Sequence, residues 1–256
     1  MKYKAIYADV DGTLIAPGAP TGTEASKRLQ NSVSEIKKRG IVFGITTARS
    51  LDWISGLVSS LSITDPVILD NGARIYDGKS KKYLVNNFLS VIILKKILKE
   101  LQPFNQEIVI VDETQKRFIF DPNINVGLKN AVKCIVLHIE PHLAEKIYQS
   151  FKKNPDIAVT KSISRVTPIG ISIHITHKDA RKDKALKYIC DYLAINPSQV
   201  IGIGDSFNDF DFLKICGLKV AMGNATDEIK AIADYIAPTY DQDGVADVIE
   251  KFIIRK

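Results

Sequence analysis

The chain has 256 residues, a formal net charge of +6 and 45% hydrophobic residues, which is typical of a globular protein with one or two domains. Its three cysteines are too few and too scattered for a disulfide framework, so we expect a reducing, cytoplasmic location. No apolar run is long enough for a membrane helix, and the N-terminal apolar stretch is too short for a signal peptide, so no membrane partner is expected.

The N-terminal part alternates short apolar runs with amphipathic segments. These are strand 4–8, helix 23–38, strand 41–46, helix 50–61 and strand 67–69. The C-terminal part repeats the alternation with helix 183–193, strand 200–203, helix 207–215, strand 218–221 and helix 226–233. Near-continuous apolar strands between helices predict a parallel sheet covered on both faces, which is an α/β fold.

The middle of the chain does not follow this alternation. Asp77-Gly78 is a hairpin signal, and the segments that follow are helix 90–101, paired runs 107–111 and 117–120, strand 132–139, helix 142–152 and strands near 157–159, 163–166 and 170–176. We therefore predict a discontinuous parallel-sheet core, residues 1–78 and 182–256, split by an inserted α+β domain, residues 79–181.

The basic excess is confined to the insert. Residues 79–181 contain 17 Lys and Arg against 9 Asp and Glu, whereas the two outer segments together are slightly acidic. A basic module beside an acidic one favours an anionic ligand between them. Aromatic residues do not alternate with the basic ones and no nucleic-acid-binding motif is present, so we expect no nucleic-acid partner.

Two acidic clusters follow apolar strands. Asp9 and Asp11 end the first strand, and Asp205 and Asp209 follow the strand at 200–203. Ligands of open α/β sheets bind at the carboxyl ends of strands, and carboxylates that lie together there suit Mg²⁺. Either cluster alone is compatible with a turn or a helix cap, but the two together favour a cation site.

Candidate phosphate-binding groups lie on two further segments. The strand at 41–46 leads into Thr46-Thr47-Ala48-Arg49, where a hydroxyl and free N–H groups at a helix start suit a phosphate, although this segment taken alone favours ordinary helix capping. Lys182 and Lys184 begin the helix that leads to the second acidic cluster, and either ammonium could stabilise a phosphoryl group. Spacing alone does not decide between the two lysines.

In order, these four segments resemble the four motifs of the haloacid dehalogenase superfamily of phosphohydrolases. The sequence is further similar to the Cof-like, type IIB branch in Ile68-Leu69-Asp70-Asn71-Gly72-Ala73, Lys182-x-x-Ala185-Leu186, Gly204-Asp205-Ser206-x-Asn208-Asp209, Ala221-Met222-Gly223-Asn224-Ala225 and Asp243-Gly244-Val245. The resemblance spans most of the chain, and it implies a Rossmann-like core with an inserted cap.

The resemblance implies roles for the acidic residues. Asp9 would attack phosphorus and form an aspartyl-phosphate, and Asp11 would protonate the leaving oxygen and then deprotonate the attacking water. Mg²⁺ would be bound by Asp9, by the backbone carbonyl of Asp11 and by Asp205, with Asp209 as a ligand or as the holder of a metal-bound water.

The resemblance also implies that Thr47 and Lys182 bind the phosphoryl oxygens, with Asn208 as a further contact. Two positions depart from the family pattern, since Ala48 and Asp183 stand where glycines are usual. Asp183 adds a negative charge beside Lys182, which would either weaken substrate binding or cap the helix.

The expected activity is Mg²⁺-dependent hydrolysis of a small phosphorylated metabolite, a sugar phosphate or phosphoglycolate, under a mobile cap. A phosphomutase of the phosphomannomutase type, which shares the motif of residues 9–14, is an alternative, as is a non-catalytic basic binding protein on the same fold. The sequence gives no indication of the oligomeric state or of the residues that set specificity.

Overall fold

The computed structural model describes residues 2–121, 130–164 and 170–255. The strands are β1 (Ala5–Ala8), β2 (Val42–Ile45), β3 (Val67–Leu69), β4 (Arg74–Asp77), β5 (Lys82–Asn86), β6 (Ile108–Asp112), β7 (Arg117–Ile119), β8 (Ala131–Ile139), β9 (Ile157–Ser164), β10 (Gly170–His177), β11 (Val200–Gly204), β12 (Leu218–Ala221) and β13 (Tyr235–Ile236). The helices are α1 (Lys27–Lys38), α2 (Ser55–Ser60), α3 (Val91–Leu101), α4 (Pro141–Phe151), α5 (Lys182–Tyr192), α6 (Phe210–Ile215), α7 (Asp227–Ile232) and α8 (Gly244–Ile249).

Five parallel strands form the core sheet, in the order β13–β12–β11–β1–β2. Strand β1 lies between β11 and β2, and Ala8 at its end is in register with Ile203 and Ile45. The chain segments that leave β1 and β11 therefore begin next to each other at one edge of the sheet, which is where parallel strands place their ligand-binding loops.

Both faces of the core sheet are covered by helices, as predicted. Alternate residues of β1 belong to different hydrophobic clusters: Ile6 and Ala8 pack with α1, α2 and α8, whereas Ala5 and Tyr7 pack with α5, α6 and α7. This division follows from the two-residue period of a strand, because successive side chains point to opposite faces.

A second, antiparallel sheet, the cap sheet, has the order β7–β6–β8–β10–β9. On β8, Cys134 and Val136 pack against α3 and α4, whereas Ile135 belongs to a separate apolar cluster with Val109 and Val111 on the opposite face. One face of this sheet is thus covered by its own helices, and the other is turned toward the core.

The small antiparallel sheet β3–β4–β5 continues from the core, because Ile68 pairs in parallel with Thr46 beside β2. The hairpin predicted at Asp77-Gly78 is therefore confirmed as the β4–β5 pair. The division of the chain at residues 79 and 181 stays a prediction, and the pairing of β5 with β4 favours a first boundary after Asn86.

Some local predictions differ from the structure, and the helices predicted at 50–61 and 207–215 each begin with a 3₁₀ turn. The first helix begins at Lys27 rather than near Thr23, because the hydroxyl of Ser26 accepts a hydrogen bond from the Leu29 N–H and caps it. The strands predicted near 157–159 and 163–166 form one strand, β9, up to Ser164, and the remainder of the second prediction lies outside the described residues. Within the described ranges, no helix is long and apolar enough to cross a bilayer.

Candidate active site

Three buried carboxylates converge where β1 and β11 end. Asp9 follows β1, Asp205 follows β11, and Asp209 closes a 3₁₀ turn that starts at Phe207. Oxygens of Asp9, Asp205 and Asp209 all lie within 4.8 Å of one another. Gly12 lets the chain pass close by, since its φ is +80° and a Cβ there would overlap the carboxylate of Asp205.

Lys182 neutralises part of this charge from the first turn of α5. Its Nζ donates to Asp9 Oδ1 at 2.6 Å and to Asp209 Oδ1 at 2.7 Å, and the side chain is almost fully buried. Burial by itself lowers the pKa of Lys182, but the carboxylates of Asp209 and Asp9 outweigh it and hold this pKa above its ordinary value. Lys182 is therefore a fixed positive charge within the site.

The other candidate lysine lies elsewhere. Lys184 is exposed, and its ammonium lies 2.8 Å from a carboxylate oxygen of Asp179. Of the two lysines, it is therefore Lys182 that contacts the buried carboxylates of the site. The unusual Asp183 does not face Lys182, because its carboxylate accepts from Arg181 Nε at 2.9 Å. The charge of Asp183, the residue that departs from the family pattern, is thus neutralised outside the site.

The donor set fits a divalent cation. Asp9, Asp205 and Asp209 are all buried, Lys182 pairs with Asp9 and Asp209, and carboxylate oxygens are the ligands that Mg²⁺ prefers. Burial raises the pKa of Asp9 to about 7, an effect that Lys182 opposes and Asp209 reinforces. Asp9, Asp205 and Asp209 are the side chains that would hold Mg²⁺ here.

Asp11 points away from this cluster toward Arg49. The Arg49 guanidinium donates Nε to Asp11 Oδ2 at 2.8 Å and Nη2 to Oδ1 at 2.6 Å, and the Gly18 N–H also donates to Oδ1 at 3.1 Å. Arg49 was not predicted as a site residue, although it is the last residue of the Thr47-Ala48-Arg49 motif. This two-point contact fixes the orientation of the Asp11 carboxylate.

The predicted phosphate contact Thr47 is buried, and its hydroxyl accepts from the Arg49 N–H at 3.0 Å. Thr47 does not line the cavity beside Asp9, whereas Ala48 and Arg49 do. The neighbouring Thr46 has a buried hydroxyl for which the described part of the chain offers no hydrogen-bond partner.

Asn208 joins the site to the cap sheet. Its Nδ2 donates to Asn71 Oδ1 at 3.0 Å, and Asn71 Nδ2 donates to the Thr160 hydroxyl of β9 at 3.2 Å. Asn71 adopts a left-handed conformation with φ of +57°, which Asn tolerates better than most residues. Asn208 lines the cavity together with Asp9 and Asp205, and its role as a phosphate contact stays a prediction.

A cavity of about 250 Å³ lies between the core and the cap sheet. Asp9, Asp11 and Asp205 line its core end. Its cap end is lined by Val111, Gln115, Arg117, Lys133, Ile135, Leu137, His138, Ser162, Ser172 and His174. The cavity is of a size suited to a small metabolite.

Comparison with known proteins agrees with this geometry. The family of haloacid dehalogenase-like hydrolases matches the chain over residues 6–127 and 113–249. A phosphoglycolate phosphatase of Methanopyrus kandleri is 26% identical over 97% of this chain and 96% of its own length. A 5-amino-6-(5-phospho-D-ribitylamino)uracil phosphatase of Bacillus subtilis is 26% identical over 98% of this chain and 96% of its own length.

Among solved structures, a sugar phosphatase of haloacid dehalogenase subclass IIB superposes with a TM-score of 0.77 at 19% identity, covering 97% of this chain and 98% of that one. This likeness shows a shared fold with a cap domain. The chain therefore belongs to the haloacid dehalogenase-like hydrolases and is an enzyme of the phosphatase class.

Proposed function

We propose that the protein is a Mg²⁺-dependent phosphomonoesterase that hydrolyses a small phosphorylated metabolite through an aspartyl-phosphate on Asp9. The observation that carries the proposal is the buried arrangement of Asp9, Asp205 and Asp209 around Lys182, at one end of a metabolite-sized cavity. A site with this charge distribution suits a phosphoryl group that arrives with a divalent cation.

Asp9 is the nucleophile in this proposal. Its carboxylate attacks phosphorus in line with the leaving oxygen, and Lys182, which contacts Asp9 Oδ1, stabilises the charge on the phosphoryl oxygens. Mg²⁺, when bound, neutralises the negative charge of the phosphoryl group and of the acidic cluster.

Asp11 is the proton carrier. It protonates the leaving oxygen in the first step and removes a proton from the attacking water in the second. Arg49 contacts both of its oxygens and still leaves a lone pair on Oδ2 for a proton. We therefore assign Arg49 the role of orienting Asp11 between the two steps.

The proposed substrates are small phosphate monoesters. Similarity to enzymes named phosphoglycolate phosphatase and ribitylaminouracil phosphatase supports this class, and the cavity volume of about 250 Å³ agrees with it. A cytoplasmic location remains part of the proposal, supported by the three cysteines, which are all buried and unpaired.

The test is hydrolysis of p-nitrophenyl phosphate by the purified protein. We expect release of p-nitrophenol that needs added Mg²⁺, is abolished by a chelator and is lost in Asp9→Asn. Asp191→Asn, which removes the same charge from an exposed position on α5, is the matched control. Hydrolysis that continues without Mg²⁺, or that survives Asp9→Asn, would contradict the mechanism.

The same preparation separates the alternatives. Isomerisation of a hexose phosphate in the presence of a bisphosphate activator would indicate a phosphomutase. A folded protein that binds phosphate esters but turns none over would indicate a binding protein. We expect neither, because the catalytic carboxylates are complete and Thr47-Ala48-Arg49 resembles the corresponding segment of the hydrolases.

A further inference from the structure

The cap end of the cavity is basic. Arg117 and Lys133 both line it, and among the described lining residues the acidic side chains all belong to the core end. Strand pairing explains the placement, because Val111 on β6 is in register with Arg117 on β7 and with Lys133 on β8. The two cations flank Val111 on one face of the sheet, with backbones about 10 Å apart at ordinary strand spacing.

Lys133 belongs to a buried group with an excess positive charge. Its Nζ donates to Asp70 Oδ1 at 2.6 Å and to the Ala48 carbonyl at 2.7 Å. The other oxygen of Asp70 accepts from Arg74 Nε at 2.8 Å, so one carboxylate serves two cations. Asp70, Arg74 and Lys133 are all nearly inaccessible to solvent, and an anion in the adjoining cavity would balance the surplus charge.

His174 adds a polar ring nitrogen to the cap end. Its Nε2 lies 3.0 Å from the Ser162 hydroxyl, and its Nδ1 is buried and has no hydrogen-bond partner among the described residues. His174 is 8% exposed and lies opposite Ile135 in the pairing of β10 with β8. Ile135 is two residues after Lys133, on the same face of the sheet. Burial, with help from Lys133 and Arg117, lowers the pKa of His174 to about 3, so the ring is neutral at physiological pH. If the Ser162 hydroxyl donates to Nε2, then Nδ1 carries the hydrogen and is a donor awaiting an acceptor.

We propose that Lys133, Arg117 and His174 form a subsite that binds a carboxylate on the organic part of the substrate, so that the preferred substrates are phosphorylated organic acids. The inference rests on the proposed phosphatase function and narrows it. The phosphoryl group is bound among the acidic residues of the core, and the carboxylate of the same molecule reaches the cap sheet at the other end of the cavity.

A carboxylate suits this wall better than a second phosphate does. The three polar groups stand among Val111, Ile135 and Leu137, and transferring a singly charged planar group to such a surface costs less than transferring a dianion. Lys and Arg are the usual donors to a carboxylate, and a neutral imidazole N–H completes the set without adding charge.

The experiment compares two esters of equal length that differ only at the far end, 2-phosphoglycolate and 2-hydroxyethyl phosphate. We expect kcat/KM in Mg²⁺ to be about 10- to 100-fold higher for 2-phosphoglycolate, since a charge-assisted hydrogen bond contributes a factor of this size. The ratio of the two values, rather than either value alone, measures the subsite.

Arg117→Met tests the assignment on the exposed member of the subsite, so that folding is not at risk. We expect the ratio to fall about tenfold. Lys116→Met is the matched control, because it removes the same charge one residue earlier, outside the cavity lining, and should leave the ratio unchanged.

The outcomes separate the two proposals. Equal kcat/KM values for the two esters, or a preference for 2-hydroxyethyl phosphate, would overturn the subsite and leave the phosphatase function intact. Hydrolysis of neither ester, nor of p-nitrophenyl phosphate, would overturn both. A ratio that falls equally in Lys116→Met and Arg117→Met would show a general effect of charge, and it would also overturn the subsite.

Discussion

The two ends of the cavity are built on different principles. At the core end, the charged residues stand on loops that follow parallel strands, and Asp9 and Asp205 come together because β1 and β11 are neighbours. At the cap end, the charged and polar residues stand within antiparallel strands, and Lys133 and His174 share a face because of strand register. The core end gathers negative charge, and the cap end gathers positive charge.

This difference separates chemistry from recognition. Loops at strand ends can bring several carboxylates together without disturbing the sheet. A substitution within a strand, by contrast, alters a single side chain that lines the cavity. The core end is therefore suited to a fixed reaction, and the cap end to a ligand contact that can vary.

After the loss expected in Asp9→Asn, the largest effect is expected from Lys182→Met. We expect kcat to fall about 100- to 1,000-fold, since the phosphoryl charge loses a fixed partner. The free energy of unfolding should fall by about 3–5 kcal/mol, because Asp9 and Asp209 lose the ammonium between them. Steady-state kinetics and urea unfolding measure the two effects.

Lys184→Met is the control for this substitution, with the same change two residues later on an exposed side chain. It should leave both quantities nearly unchanged, because exposed ion pairs contribute little. A larger loss of activity in Lys184→Met than in Lys182→Met would reverse the assignment of the two lysines.

Mg²⁺ should stabilise the fold as well as support activity. At a concentration 100 times its Kd, we expect the free energy of unfolding to rise by about 2.7 kcal/mol, since the ion binds the folded state. Thermal unfolding of the wild type with and without Mg²⁺ measures the gain, and Asp205→Asn should lose most of it. If Asp205→Asn keeps the full gain, the ion binds elsewhere.

His174 should make the cap end sensitive to acid. The unfolded chain takes up a proton on this ring near pH 6.5, whereas the folded protein does so only near pH 3. Stability is therefore unaffected above pH 6.5 and falls by up to about 1.4 kcal/mol per pH unit as the pH drops toward 3. Thermal unfolding measured across this range should show a weaker dependence of stability on pH in His174→Asn. The substitution of an exposed histidine, His142→Asn, should keep the wild-type pH dependence.

The smallest effect concerns the overall charge of the insert. The 17 basic residues at positions 79–181 should attract anionic substrates, so kcat/KM for a phosphate ester should fall roughly threefold as NaCl is raised from low to high concentration. Stopped-flow or steady-state measurements at constant Mg²⁺ test this. A kcat/KM that does not change with salt would rule out steering by the insert.

The sequence predicted the core end better than the cap end, for a physical reason. Asp9 and Asp205 could be brought together because parallel strands bring distant strand ends to one edge of a sheet, whereas Lys182 was preferred to Lys184 from the family resemblance. Arg49 was missed as a partner of Asp11, since its side chain crosses to another loop. Lys133, Asp70 and His174 could not be assigned, because their meeting depends on antiparallel register and on how the cap sheet lies over the core.

Lys133 sets a condition for redesign. The core sheet and the cap sheet have separate hydrophobic clusters. Strands of the cap sheet are therefore natural units for exchange between relatives whose substrates differ in their organic part. A transplanted β8 without this lysine would leave Asp70 and the Ala48 carbonyl short of a donor. Chimaeras that keep the Lys133–Asp70 pair should stay folded while their substrate preference shifts.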